Sequence, residues 1–446
     1  MQYLPNETIV KGMLADMGLK SMDDLFCDIP QKVRINGLNL PHGKTEMEAQ
    51  RYLADMYGRN VNMTQSPSFL GAGIYQHFIP PVVKELASRS EFYTCYTPYQ
   101  PELAQGIVQA LFEYQSYIAE LTGMDAANTS MYDSATSLGE AALMAVRLTD
   151  KTEFVVPSNI SWEKMGVLEN YVKWRGIKIK KVGFDPKTGK VDLAAMRAAI
   201  TPITAGVYVE SPNFFGVFED DVDEIRQMSQ GAMMVVGVNP LSLGVVKSPG
   251  DYGADVVIGE GQPLGASPNL GGPLVGIFAC KKDHIRKMPG RIIGLTRDNE
   301  GRRAFCMTLS TREQHIRREK ATSNICSNEA LMSVCSLIHM ALLGKDGLRK
   351  LARLNIYKAR QLQEHICQIP GFSPVFESWS FIEFVIKSEV KPEKLNKALL
   401  KKGIQGGLPL KKHFPKLGNA TLYCTTEVHT EDDHKRLLEV LRGVKA

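Results

Sequence analysis

Short apolar strands alternate with amphipathic helices between about residues 61 and 280 of the 446-residue chain. The predicted strands lie at 128–131, 153–156, 177–182, 206–210 and 232–238. The predicted helices lie at 101–122, 134–148, 162–174, 193–200 and 222–230. Strands that alternate with helices of this length indicate a mostly parallel sheet covered on both faces, which is an α/β fold.

The regions on either side of this alternation have different patterns. Residues 1–60 carry apolar positions at helical spacing behind two candidate N-caps, Asn6 and Ser21, which predicts a helical segment. Further strands and helices are predicted in the tail at 381–386, 391–402, 420–425 and 431–444. We therefore expect a large α/β domain over residues 61–325 and a small C-terminal α+β domain over residues 326–446.

Composition narrows the class of protein. With 44% hydrophobic and 23% charged residues, the chain has the composition of a soluble globular protein. No apolar run approaches about 18 residues and the N-terminus is unlike a signal peptide, so we expect no membrane span. The eight cysteines form no CxxC pair, which predicts reduced thiols in a cytoplasmic protein and no zinc site. A net charge of +5 gives no reason to expect a nucleic-acid partner.

Positive charge is concentrated in one segment. Residues 281–320 contain twelve Lys or Arg and five acidic residues, an excess of seven positive charges that is larger than the net charge of the whole chain. This pattern is typical of a solvated helical surface with local ion pairs, and equally of a docking face for an acidic partner. Composition does not separate the two interpretations.

The stretch from Gly253 to Pro273 has the pattern of a cofactor loop that lacks a nucleophile. A predicted strand at 254–258 leads into a glycine-rich turn and a second strand at 274–279. Glycines allow the backbone to approach a ligand closely, yet Glu260 and Gln262 are the only polar side chains with reach in the turn. The sequence therefore predicts a subunit that helps to build an active site whose chemistry lies elsewhere.

Two other motifs each have a functional and a structural interpretation. Residues 133–137 begin a predicted helix with hydroxyl side chains, which suits either an anion site or plain capping by Ser134 or Thr136. Residues 93–102 combine three tyrosines with two prolines, so they either line a pocket or pack beneath a loop.

The segment at residues 311–324 has an unusual density of long polar side chains. On a helix, Arg312, His315 and Glu319 would lie near one face, because they are three and four residues apart. Thr322, Ser323 and Asn324 follow directly. Charge pairing along a helix is the alternative interpretation.

Residues 96–125, 290–305 and 308–328, together with the loop Gly259–Gly265, resemble the glycine cleavage system P-protein family. The resemblance covers essentially the whole chain, whose length matches the N-terminal half of the single-chain members. It implies the aspartate-aminotransferase-like fold of pyridoxal-phosphate enzymes. It also implies decarboxylation of glycine with release of CO₂ and transfer of the aminomethyl group to the lipoyl arm of H-protein.

The resemblance implies that this chain does not hold pyridoxal phosphate covalently. In the cofactor-bearing half of the family, a lysine follows a DVV strand within a His-Lys-Thr triplet. Here the strand is Asp255-Val256-Val257, and Gln262-Pro263 stand where His-Lys would. The aspartate expected in the preceding strand is also missing from residues 232–239. The cofactor is therefore expected on a partner, subunit 2.

The resemblance also implies partners and site residues. The expected assembly is a heterotetramer with two copies of each subunit, which acts on glycine and on lipoylated H-protein. We expect two groups of contributors to the partner's site: Arg312, His315, Thr322, Ser323 and Asn324 across the interface, and Tyr96, Tyr99 and Gln100 in the pocket lining. A basic 281–320 segment would suit an acidic H-protein.

Two alternatives remain open at this point. The first is a noncatalytic scaffold that stabilises subunit 2 or docks H-protein. The second is a self-sufficient pyridoxal-phosphate decarboxylase that uses another lysine, of which Lys247 is the nearest before the loop.

Overall fold

A computed structural model of the chain describes residues 7–35, 37–308, 312–326 and 328–444. The chain divides into two compact units, Met1–Asn62 and Met63–Ala446. In the first unit the helices are α1, Val10–Asp16, and α2, Glu46–Tyr57. Helix α2 begins with a capping box in which Thr45 and Glu48 satisfy each other's backbone N–H groups. The candidate N-cap Asn6 lies outside the described residues.

A seven-stranded sheet forms the centre of the second unit, with the strand order β1-β7-β6-β5-β4-β2-β3. Its strands are β1 Ala126–Ala127, β2 Glu153–Pro157, β3 Lys178–Val182, β4 Thr204–Glu210, β5 Met233–Val238, β6 Val256–Glu260 and β7 Gly276–Cys280. Strands β3, β2, β4, β5 and β6 are parallel, whereas β7 and β1 pair antiparallel at one edge. The prediction of a mostly parallel sheet is confirmed.

Helices cover both faces of this sheet. The helices of this part of the chain are α3 Pro81–Ala87, α4 Ser90–Tyr93, α5 Gln105–Thr122, α6 Ser134–Thr149, α7 Trp162–Val172, α8 Leu193–Ala199, α9 Val222–Met228, α10 Gln314–Arg317 and α11 Ala330–Cys367. Helices α6 and α7 share one apolar cluster with the sheet, while α5, α8, α9 and α11 share the cluster on the other face. Strands β2 and β5 are buried along their whole length, as expected for a sheet covered on both faces.

A second, antiparallel sheet lies near the C-terminus, with the strand order β10-β11-β13-β12. Strands β8 Ile292–Arg297 and β9 Arg303–Thr308 form a separate hairpin; the sheet itself consists of β10 Phe372–Pro374, β11 Glu383–Ser388, β12 Leu408–Pro409 and β13 Ala420–Cys424. Helices α12, Pro392–Lys401, and α13, Glu431–Gly443, share an apolar cluster with this sheet.

Helix α11 links the two sheets of the second unit. Val334 and Met340 belong to the core of the central sheet, whereas Leu362 and Ile366 belong to the core of the C-terminal sheet. By length and composition alone, α11 is apolar enough to cross a membrane. The core helices of soluble proteins have the same properties, and α11 interrupts its helical geometry at Gly344, where φ is 58°.

The packing of α6 on the central sheet yields a stability prediction. Phe154 is fully buried, and a Cβ atom added at Gly206 would touch both Phe154 and Ala145. We expect Phe154→Ala to lower the free energy of unfolding by about 3–5 kcal/mol, because the cavity cannot collapse between rigid elements. The control Trp174→Ala, at a side chain that is 82% exposed, should change it by less than about 0.5 kcal/mol. Urea unfolding measures both variants. Equal losses in the free energy of unfolding would contradict the described packing.

Candidate functional site

A cavity of about 220 Å³ lies at the carboxyl ends of the parallel strands β4, β5 and β6. The N-termini of α6 and α7 and the loop at residues 72–75 complete its walls. This edge of an open α/β sheet is where such folds bind their ligands, because the helix N-termini converge there.

Glu260, the last residue of β6, is bonded to three segments around this cavity. Its carboxyl oxygens accept hydrogen bonds from the backbone N–H groups of Ser134 at 3.1 Å, Gln262 at 3.1 Å and Val275 at 3.3 Å. Burial raises the pKa of Glu260 to about 8, because desolvation outweighs these hydrogen bonds. Glu260 therefore accepts the hydrogen bond of the first N–H group of α6, that of Ser134.

The α6 N-terminus is capped by Asp133. The Asp133 carboxylate accepts from the backbone N–H of Thr136 at 2.7 Å, and the Thr136 hydroxyl accepts from the backbone N–H of Asp133 at 3.2 Å. Of the two interpretations of residues 133–137, the structure shows capping. The capping residue is Asp133, where the sequence pattern favoured Ser134 or Thr136.

One ion pair lies on the opposite wall of the cavity. Lys164, in the first turn of α7, pairs with Glu210, the last residue of β4, and their side chains are only 15% and 12% exposed. Ser161 caps α7 by accepting a hydrogen bond from the Lys164 N–H. Among the described residues that line the cavity, Lys164 is the only lysine, and its ammonium charge is already neutralised.

The third wall of the cavity comes from the C-terminal sheet. Glu383, the first residue of β11, is buried and accepts hydrogen bonds from the Tyr75 hydroxyl at 2.7 Å and the Ala72 N–H at 2.5 Å. Burial raises the pKa of Glu383 to about 7. A Cβ atom at Gly216, where φ is 80°, would lie 2.0 Å from the Glu383 carbonyl oxygen, so this close approach requires glycine.

Gln262 points away from the cavity and fastens the loop at residues 72–75. Its side-chain oxygen accepts from the Tyr75 N–H at 3.0 Å, and its side-chain nitrogen donates to the carbonyls of Tyr75 at 2.9 Å and Ala266 at 2.6 Å. Pro263, which stands in place of the expected lysine, has no side-chain amine that could form an imine. Lys247 is exposed and does not line the cavity.

The residues expected to reach a partner's site do not line this cavity. Thr322, Ser323 and Asn324 line a second cavity of about 280 Å³ against α6 and α7. There the Ser323 hydroxyl donates to the buried Glu140 carboxyl at 2.7 Å, and burial raises the pKa of Glu140.

The remaining candidates lie on the surface or close to it. Tyr96, Tyr99 and Gln100 are exposed, as is His315. The guanidinium of Arg291 lies 5.9 Å from the centre of the Tyr99 ring. The half-buried Arg312 donates to the carbonyl of Ile325 at 3.4 Å, and burial lowers the pKa of Arg312.

Two sequence interpretations of the basic segment are wrong. Helix α10 spans only Gln314–Arg317, and Arg318 has φ of 53°, so Arg312 and Glu319 do not share a helix face with His315. The segment is also not a helical surface throughout, because 292–308 forms the β8–β9 hairpin. The turn residues Asp298, Asn299 and Gly301 between two apolar stretches were a hairpin signal that the helical interpretation overlooked.

Lys164, Glu210 and Glu383 escaped the sequence interpretation. Glu210 could have been found, because it ends a predicted parallel strand at the edge where ligand sites form. Glu383 could not, because it lies more than 300 residues from Tyr75 along the chain. Among the described residues, no group of three His, Cys, Asp or Glu side chains is arranged to hold a metal ion.

The chain is similar to known proteins along essentially its whole length. Residues 1–441 match the family described as glycine cleavage system P-protein. A protein from Desulfitobacterium hafniense named probable glycine dehydrogenase (decarboxylating) subunit 1 is 46% identical over 449 residues, which cover 100% of both chains. A relative of the same name from Thermococcus onnurineus is 47% identical over 99% of both chains.

Solved structures agree in fold. The crystal structure of an inhibitor-bound glycine decarboxylase (P-protein) of the glycine cleavage system matches with a TM-score of 0.91 and 37% identity, over 99% of this chain and 100% of that one. A Burkholderia pseudomallei sphingosine-1-phosphate lyase, at 12% identity, covers 92% of both chains with a TM-score of 0.67. A Lactobacillus brevis glutamate decarboxylase, at 14% identity, matches with a TM-score of 0.68 over 93% of this chain and 95% of that one. The predicted fold of pyridoxal-phosphate enzymes is confirmed.

The raised pKa of Glu383 predicts how stability depends on pH. Because the folded pKa of about 7 lies above the unfolded value, ionisation of Glu383 opposes folding, and its contribution to stability falls as pH rises from about 4.5 to about 7. In the wild type this ionisation lowers the free energy of unfolding by at most about 1.4 kcal/mol per pH unit across that window, and Glu383→Gln should abolish this pH dependence. Urea unfolding at several pH values, with the exposed Glu389→Gln as control, measures it; parallel pH profiles for Glu383→Gln and the wild type would contradict the assignment.

Proposed function

The chain belongs to the glycine cleavage system P-protein family, and we propose that it acts as subunit 1 of a two-subunit glycine dehydrogenase (decarboxylating). In this proposal subunit 2 carries pyridoxal phosphate, and the present chain completes the active site of the assembled enzyme. The assembly decarboxylates glycine, releases CO₂ and transfers the aminomethyl group to the lipoyl arm of H-protein. The eight unpaired thiols support a reducing cytoplasm as its location.

The residues that line this chain's own cavity are poorly suited to hold pyridoxal phosphate, which supports placing the cofactor on subunit 2. Pyridoxal phosphate carries a phosphate that helix N-termini bind through free N–H groups, and it forms an imine with a lysine. Here Glu260 and Asp133 already accept from the N-terminal N–H groups of α6, and Lys164 is paired with Glu210. The described residues of the cavity therefore do not fit the cofactor.

The observation that carries the proposal is the combination of full-length similarity with this altered cavity. Relatives named as subunit 1 align along the entire chain, so the similarity is not confined to a shared domain.

An exposed aromatic surface supports a role in assembly. Tyr93, Tyr96, Tyr99 and Leu103, around the junction of α4 and α5, are between 56% and 79% exposed. Exposed apolar groups at this density mark protein contact sites. We assign this surface to the contact with subunit 2, and the exposed arginines of the β8–β9 hairpin, Arg297 and Arg303, to the docking of an acidic H-protein.

A noncatalytic scaffold is the second candidate. The hydrogen bonds of Glu260 and Gln262 favour it, because they engage these two polar side chains of the loop in contacts within the chain. The two functions differ in the activity of subunit 2 alone: a scaffold leaves subunit 2 weakly active, whereas a contributor to the active site leaves it inactive.

The absorption spectrum of the purified chain with added pyridoxal phosphate tests the division of labour. We expect no imine band from this chain alone, because Lys164 is ion-paired and Lys247 lies outside the cavity. The band should develop only after subunit 2 is added. An imine band in this chain alone that borohydride abolishes would contradict the proposal.

Arg312 and His315 are predicted to reach the partner's active site. Arg312→Ala and His315→Ala should each lower kcat of the reconstituted enzyme by at least about tenfold, the size of a lost charged hydrogen bond. The exposed Arg442→Ala on α13 is the matched control. Normal turnover of both variants, measured as CO₂ release at saturating subunit 1, would show that these residues do not contribute.

A further inference from the structure

The first N–H groups of α6 are hydrogen-bonded to carboxyl groups of the same chain. The N–H groups at the start of a helix attract anions, since they have no partner within the helix and lie at the positive end of its dipole. In this chain the N–H of Ser134 donates to Glu260 and the N–H of Thr136 donates to Asp133. Two carboxyl groups thus hold the position that a bound phosphate would need.

The cavity wall also offers a phosphate no free cation. Five carboxyl groups are among the described lining residues: Asp133, Glu163, Glu210, Glu260 and Glu383. Burial raises the pKa of Glu260 to about 8 and that of Glu383 to about 7, so these two carry at most part of a negative charge at neutral pH. The single lining lysine, Lys164, is paired with Glu210, so among the described lining residues no unpaired lysine or arginine would attract a negative ligand.

The backbone around Glu260 keeps its carboxyl group in place. The N–H of Gly261 donates to the carbonyl of Val275 at 2.7 Å. A Cβ atom at Gly261 would lie 2.8 Å from that carbonyl oxygen, and one at Gly259 would lie 2.8 Å from the carbonyl oxygen of Val238. With Gly259 and Gly261 packed against backbone, the main chain at Glu260 is fixed, and the carboxyl group can leave only by rotation of its side chain, which would break its three hydrogen bonds.

We propose that the Glu260 carboxyl group is an internal substitute for a phosphate at the α6 N-terminus, and that it closes this cavity to phosphate-bearing ligands. Removal of the side chain then frees the Ser134 N–H and opens an anion site. This inference goes beyond the proposed function, because it assigns a role to one residue within this chain and needs no partner subunit.

Binding of inorganic phosphate to the purified chain tests the inference. Glu260→Ala should gain a phosphate-dependent rise in Tm of about 3 °C or more at saturating phosphate. The wild type should show none beyond the effect of chloride at equal ionic strength. Glu260→Gln should also show none, because its amide oxygen still accepts from the Ser134 N–H. The control Glu163→Ala removes a lining carboxyl away from α6 and should behave as the wild type.

Two results would overturn the inference. One is a phosphate-dependent rise in Tm of the wild type as large as that of Glu260→Ala. The other is a Glu260→Ala variant that gains no more than Glu163→Ala. If Glu260→Ala does not fold in chloride buffer, Glu260→Ser is used in its place, because the serine hydroxyl retains a polar group at this position. The comparison with Glu163→Ala and the wild type stays the same. Because the assay uses this chain alone, its failure leaves the reconstitution assay of the proposed function unaffected.

Discussion

The hydrogen bonds of the Glu260 carboxyl group determine what the central cavity can do. They join the end of β6 to the start of α6 and to the segment that enters β7, three parts of the chain that would otherwise present free N–H groups to a ligand. Buried N–H groups must find partners, and here the chain provides them internally. The cavity lies where open α/β sheets form their ligand sites, and these three N–H groups at its edge are bonded within the chain.

Gln262 has a related effect on the neighbouring loop. Its amide pairs with both backbone groups of Tyr75, and Tyr75 in turn donates to Glu383 of the C-terminal sheet. Gln262, the neighbour of Pro263 that stands in place of the family's catalytic lysine, thus ties the glycine loop to the 72–75 segment and, through Tyr75, to β11. We infer that a site for covalent chemistry has become a set of structural contacts, while the exposed surface around α4 and α5 keeps a role in assembly.

Much of the second unit could be predicted from the sequence. Helix α6 and the strands β2, β4 and β5 could be predicted from hydrophobic periodicity, because each buries one face or both faces along its length. The absence of a reactive side chain in the 259–265 turn was likewise visible in the sequence. Local patterns are sufficient where local packing determines the structure.

The parts that could not be predicted depend on contacts between distant residues. Glu260 meets Ser134 across 126 positions, and Glu383 meets Tyr75 across 308, so no spacing rule connects them. The helix expected to bring Arg312, His315 and Glu319 together ends at Arg317, before Arg318, whose positive φ no periodicity reveals. The cross-interface roles of Arg312, His315, Thr322, Ser323 and Asn324 stay predictions.

The central claim is that the cofactor of the assembled enzyme lies on subunit 2 and not on this chain. Borohydride reduction of the complete complex with bound pyridoxal phosphate, followed by mass spectrometry of both subunits, tests it most directly. We expect a reduced pyridoxyl group on a lysine of subunit 2 and no modification of the present chain. A pyridoxyl group on Lys164, Lys247 or any other lysine of this chain would contradict it.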